Sequence, residues 1–442
     1  MEAERRLAKL RTHKHPFKAI YLCYVICHLL FFKIPFWCLF YLPRATRPVS
    51  SWSWKTVIFT RILRWSDNFL LNAGLVNSMV RDHLPPLSVQ ELEQAGHSCR
   101  SVWIPPILDG DIKGEVREWK EKNGVQSDRV PGYWWGKLAP ESSVVFSPVA
   151  LGEKIVIHFH GGDYTMGSAF PSGPLPAALL KAWTTCQGHP LQRVLMVEYR
   201  LCRAEPLADP KNPFPTQLLD GLAAYFYVTR EIGFDPKNVI LSGDSAGGNL
   251  VLALARYLRD VNPSTSPGEH SDNHASLGGI LLFSPWTDLC DTHMPERSPL
   301  GQDSSFVRNE RTDFVQRTTP ERIGMGTYGI KGYRGRAIPL GEISRNPYMS
   351  PGSLEIPRET SFEGYPRAYI STGGREILYD ENMCLADRLR KGREASGKGD
   401  ASEWVTVSIE PDMYHDFCFL PFTDPPEVHR ECERIGNWIA RC

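Results

Sequence analysis

The sequence predicts an α/β fold: a mostly parallel β-sheet with helices on both faces. Two patterns carry that prediction. Short apolar, β-branched runs recur along the chain and alternate with helical patterns, an alternation that favours parallel strands buried on both faces. A serine flanked by small residues, Gly243-Asp244-Ser245-Ala246-Gly247-Gly248, then stands where one such run gives way to a helical pattern.

The elements follow in order. Residues 19–32 are almost wholly apolar; Lys33 and Pro35 interrupt, and the apolar pattern resumes from Ile34 to Leu42. Phe17 to Leu42 is long enough to cross a bilayer, with Tyr and Trp near its ends as membrane interfaces prefer. No small-residue cleavage site follows, which disfavours a secretory signal. A spanning helix is the leading reading, with an in-plane anchor kinked at Pro35 and a buried soluble helix as the others. Basic residues flank both sides, so orientation is undetermined. Strands are predicted at Lys154–His158, Arg193–Tyr199, Asn238–Ser242, Gly279–Phe283, Arg367–Ser371 and Trp404–Ile409. Helices are predicted at Leu218–Arg230, Leu250–Asp260, Glu381–Lys391 and Pro426–Ala440. Asn262–Ser276 and Lys391–Ser402 read as loops. Asp291–Tyr365 is a long polar insertion between two core strands, and such insertions are more often functional than idle. Residues 1–65 are therefore expected to be anchor and linker, and 66–442 one catalytic domain. Its cap elements are expected at about 66–100, including Asp67–Pro85, and at 291–365.

Composition narrows the function classes. The 442 residues are 42% hydrophobic and 23% charged, and Lys+Arg equals Asp+Glu, so no net field attracts nucleic acid. The eleven cysteines are scattered, odd in number and free of C-x-x-C pairs, against both a zinc site and a disulfide framework. The chain has no N-x-S/T sequon. No metal or organic cofactor is expected.

Two motifs carry chemistry. Gly243 to Gly247 fits G-x-S-x-G, in which a sharp strand-to-helix turn lifts Ser245 above the sheet and small neighbours tolerate the strain. His160-Gly161-Gly162-Asp163-Tyr164 directly follows a predicted strand. Unmasked backbone N–H groups there suit a developing oxyanion, with Gly161, Gly162 and Ala246 as the expected donors. The third position after His160 is Asp163 where the general motif has glycine. Its charge would oppose an oxyanion, so it is expected to point away from Ser245, neutralised by an Arg or by backbone donors around Tyr164–Ser168.

On these blocks, together with Tyr199-Arg200-Leu201, Pro213-Phe214-Pro215 and Ser284-Pro285-Trp286-Thr287-Asp288, residues 150–442 resemble the α/β-hydrolase superfamily. The likeness is to its hormone-sensitive-lipase-like esterases. The apolar N-terminus is loosely similar to membrane-anchored fungal members, including steryl acetyl hydrolases. The resemblance implies an α/β-hydrolase fold with a helical cap and a triad in the order Ser, acid, His. His415, in Tyr414-His415-Asp416-Phe417, follows the last predicted strand, where the family keeps its base. In Gly373-Gly374-Arg375-Glu376-Ile377-Leu378-Tyr379-Asp380 the family pattern makes Glu376 the acid and Asp380 a helix cap; Asp380 is the alternative acid. Asp412 and Asp416 lie near His415 but after the wrong strand.

These residues imply a serine hydrolase. His415 would deprotonate Ser245, Glu376 would orient His415, and water would release the acyl-enzyme. The expected partner is a lipophilic small-molecule ester met at a membrane, such as that of the endoplasmic reticulum. An acyl transferase or amidase with the same triad, and a non-catalytic receptor on this fold, are the alternative classes.

Overall fold

A computed structural model describes residues 7, 9–76, 88–94, 99–136, 148–170, 191–261, 277–316, 324–397, 399–420 and 425–442. Its centre is an eight-stranded sheet: β1 Arg100–Ile104, β2 Val130–Gly136, β3 Lys154–Phe159, β4 Leu191–Val197, β5 Val239–Asp244, β6 Gly279–Phe283, β7 Ala368–Gly373 and β8 Val405–Glu410. The strand order is β1-β2-β4-β3-β5-β6-β7-β8. Strands β3 to β8 run parallel, and β2 is antiparallel to both neighbours. The six parallel strands are the six predicted from sequence. Strands β1 and β2 were not predicted. β2 contains Pro131 and two glycines, which punctuate rather than extend a strand pattern. Gly132 is needed for close packing: a Cβ there would lie 2.9 Å from Ile104 Cδ1.

Alternate residues of each strand serve two cores. Ile155, Ile157, Leu241 and Leu282 pack with the helices Thr216–Phe226 and Ala246–Val261. Val156, Ile240, Leu281 and Tyr369 face the C-terminal helix Pro425–Arg441, where Trp438 meets the Tyr369 ring at 5.6 Å. Both faces are thus covered, which is why these strands read as continuous apolar runs. The predicted helices form with ends shifted by a few residues; the one after β7 runs Tyr379–Ala395, into the expected Lys391–Ser402 loop. The expected loop Asn262–Ser276 lies outside the described residues.

The N-terminal arm has two parts. Phe17–Phe40 is one helix, apolar and long enough to cross a membrane and almost uncovered by the rest of the chain. A π turn, Leu29–Lys33, precedes Pro35 and widens the backbone where proline lacks an N–H and would crowd the preceding turn. The second part is the helix Trp54–Asn72, N-capped by Ser53, whose side chain accepts from the Thr56 N–H. It runs across the expected boundary at 65/66. Trp52 pins this arm to the body: it is 1% exposed, donates from Nε1 to Asp412 O at 2.5 Å and meets the Tyr414 ring edge-on at 5.3 Å.

Candidate active site

The carboxyl ends of β3, β5, β7 and β8 deliver His160, Ser245, Glu376 and His415 to one rim of the sheet, where open α/β sheets bind ligands. Ser245 directly follows β5 with φ +49°, a left-handed conformation costly for a non-glycine residue. Neighbours hold it there. Its N–H donates to Phe283 O at the end of β6, and its carbonyl accepts from the Trp286 N–H, both at 2.9 Å. The two glycines serve close approach. A Cβ on Gly243 would meet the Gly247 carbonyl at 2.4 Å, and one on Gly247 would meet Phe159 O at 2.0 Å. The helix Ala246–Val261 starts one residue after the serine and aims its partial positive charge at the rim.

Ser245, His160, Gly161, Gly162, Asp163 and His415 line a common cavity of about 360 Å³. No protein group bonds the Ser245 hydroxyl among the described residues, and no hydrogen bond joins it to His415. The Glu376 carboxylate is fully buried, with Oε2 3.6 Å from His415 Nδ1, just beyond hydrogen-bond length. Thr372 Oγ1 donates to its other oxygen, as does Asn382 Nδ2 at 2.9 Å, so the carboxylate is held in one orientation. Burial alone would lower the His415 pKa. The Asp416 and Glu376 carboxylates outweigh it and hold the imidazole well above its ordinary value.

Asp380, expected to cap its own helix or to compete as the acid, does neither. It sits in the first turn of Tyr379–Ala395 and reaches into the insertion. There Oδ2 accepts from the Ser305 N–H at 2.6 Å, and Oδ1 pairs with Arg308 at 3.1 Å. The reason is reach: the helix Ser305–Arg308 presents its own unsatisfied N-terminal donor to Asp380.

The glycine loop departs from expectation at two positions. The Gly161 N–H, an expected oxyanion donor, is already committed to Asp244 Oδ2 at 2.9 Å. What Gly161 supplies is proximity, since a Cβ there would lie 2.4 Å from that oxygen and 3.1 Å from Ser245 Cβ. Among the described residues, the N–H groups of Gly162, Asp163 and Ala246 meet no protein acceptor. Asp163 is the second departure. Among the described residues, no Arg and no donor from Tyr164–Ser168 reaches its carboxylate; it lines the cavity at φ +52°. Burial raises its carboxyl to about 6, partly offset by His415.

Sequence reasoning missed the supporting roles of Asp244, His158, Ser242 and Asp313. Asp244 also accepts from His158 Nε2 at 3.1 Å, and His158 Nδ1 meets Ser242 Oγ at 3.0 Å, so a buried network ties the glycine loop to the elbow strand. The apolar runs placed His158 and Ser242 at the ends of two predicted strands, but only the β3–β5 register makes them neighbours. Asp313 of the insertion accepts from the Ile377 N–H at 2.7 Å and the His415 N–H at 3.3 Å, bracing the loops that carry Glu376 and His415. The insertion also walls the cavity with Phe306, Phe314 and Met325, and the arm helix adds Leu63 and Leu70. Of the expected Asp67–Pro85 cap, residues 77–85 lie outside the described residues.

A family profile described as alpha/beta hydrolase fold matches residues 156–419. Carboxylesterase NlhH of Mycobacterium tuberculosis is 26% identical over 353 residues, covering 79% of this chain and 88% of that protein. Steryl acetyl hydrolase 1 of Saccharomyces cerevisiae is 26% identical over 145 residues, 33% of this chain and 29% of that protein. The structure of an esterase from the archaeon Pyrobaculum calidifontis superposes with a TM-score of 0.51 at 17% identity, covering 87% of this chain and 93% of that one.

Proposed function

Because the chain belongs to the alpha/beta hydrolase fold family, we propose that it is a serine esterase acting on a lipophilic ester through Ser245, His415 and Glu376. It is a carboxylic ester hydrolase, as its carboxylesterase relatives are. The observation that carries the triad is the elbow: Ser245 stands strained and unbonded in the cavity that His415 also lines, with Glu376 behind the imidazole.

In this reading His415 Nε2 takes the Ser245 proton as Oγ attacks the acyl carbon. The N–H groups of Gly162 and Ala246, with that of Asp163 beside them, stabilise the oxyanion; Gly161 braces the loop through Asp244. His415 then donates its proton to the departing alcohol, and water activated by the same nitrogen releases the acid. Glu376 stabilises the imidazolium throughout.

The lipophilic preference follows from the walls. Trp286, Phe306, Phe314, Met325, Ile330 and Phe419 face the reacting centre. The helix that lends Leu63 and Leu70 continues the arm bearing the exposed apolar helix, which suits a substrate delivered from a membrane. The test is turnover of p-nitrophenyl esters of graded chain length by wild type and Ser245→Ala. Loss of about 10⁴-fold or more in kcat on substitution is expected, as is organophosphate labelling at Ser245 alone. Labelling that survives the substitution would refute the assignment.

A further inference from the structure

His415 Nε2, the nitrogen that must reach the serine, lies 3.2 Å from Asp416 Oδ2. The other ring nitrogen faces Glu376, so the imidazole is held between two carboxylates and is not bonded to Ser245. Asp416 is directed there by its backbone. It has φ +51°, a conformation glycine adopts without strain, and its N–H is held by Ser284 Oγ at 3.1 Å, Ser284 itself standing at φ +38°. The groups facing the imidazole from other elements are also acidic. Glu376 comes from the loop after β7, Asp313 from the insertion and Asp163 from the glycine loop, while Asp244 stands close to Asp416. Among the described residues, no lysine or arginine lines the cavity.

We infer that Asp416 is a positioning residue that holds His415 in a resting geometry, from which the imidazole must be released before it can deprotonate Ser245. The inference rests on reading His415 as the base. At rest the imidazolium carries a proton on each nitrogen, one directed at Glu376 and one at Asp416. Release moves the Nε2 proton to Asp416, leaving a carboxylic acid and a neutral imidazole, or to water at higher pH. The freed lone pair then turns to Ser245 Oγ. Burial raises the Asp416 carboxyl, with the His415 charge opposing, which makes it a better acceptor for this proton than an exposed carboxylate.

The experiment is the pH profile of kcat/KM for the full-length protein and for Asp416→Asn, Asp416→Gly and His415→Ala. Both Asp416 replacements tolerate positive φ, so both should fold. With one carboxylate removed, His415 loses its proton at lower pH. The acid limb should move down by about one unit or more, raising kcat/KM at pH 6 by about tenfold. The alkaline plateau should stay within about threefold of wild type. An unmoved acid limb in both variants, or a plateau about a hundredfold lower, would overturn the inference. In either case an inactive His415→Ala would leave the triad reading standing. An active His415→Ala would overturn both.

Discussion

Gly247→Ala tests the elbow with a single methyl group. The added Cβ would sit 2.0 Å from Phe159 O and 2.7 Å from His160 O, both backbone atoms at the end of β3. Ordinary carbon–oxygen contact needs about 3.4 Å, so the elbow helix and the glycine loop must separate by roughly 1.4 Å. Neither side gives easily. The helix is anchored through the Ser245 bonds to Phe283 and Trp286, and the loop through Gly161 to Asp244 and through Tyr199 OH to His160 O at 2.6 Å. Overpacking of this kind costs about 1–3 kcal/mol. The same displacement parts Ser245 and the Ala246 N–H from the Gly162 N–H, and misplacing reacting groups by about 1 Å costs on the order of 100-fold. Turnover of p-nitrophenyl acetate should therefore fall about 10²-fold or more, alongside a drop of a few degrees in Tm. Activity within threefold of wild type at unchanged Tm would refute the close-approach account of Gly247.

Further outcomes are expected. Glu376→Gln should fold but lose most turnover, because His415 loses its orienting charge. Asp380→Asn should cost about 1–3 kcal/mol of stability through the Ser305 and Arg308 contacts yet keep the chemistry; the reverse pattern would exchange their roles. For Asp163, a carboxyl raised in the folded state costs stability above its folded pKa of about 6, and that cost fades as pH falls towards the ordinary 3.8. Asp163→Asn should accordingly raise Tm at pH 8 and hardly at pH 4, measured by scanning calorimetry. An equal gain at both would deny the charge. Removing Met1–Pro48 should release a soluble, active enzyme, whereas removal through Asn72 should inactivate it, since Trp52 and the Leu63–Leu70 wall go with it. Full-length protein that stays soluble without detergent would remove the anchor from the account.

The sequence alone determined the six parallel strands, because strands covered on both faces carry apolar runs, and β3 and β5 to β7 are buried at every position. It also pointed to the elbow, through G-x-S-x-G between a strand and a helix, and in the fold Gly243 and Gly247 let backbone pass backbone. It could not reveal β2, whose Pro131, Gly132 and Gly136 break a local strand pattern that only pairing with β4 rescues, nor β1, which among the described residues pairs with β2 alone. Nor could it say what each carboxylate does, because a carboxylate's role is set by the donor that reaches it. Asp244 and Asp163 stand on either side of the same glycine loop. Folding gives the first hydrogen bonds from the Gly161 N–H and from His158, and leaves the second in the cavity with no hydrogen-bond donor among the described residues. Asp380 and Asp416 are likewise ordinary loop and helix acids by sequence. The tertiary structure alone turned one towards Ser305 and the other onto His415 Nε2, because backbone direction at a helix start and at a positive φ decides where a short side chain can point.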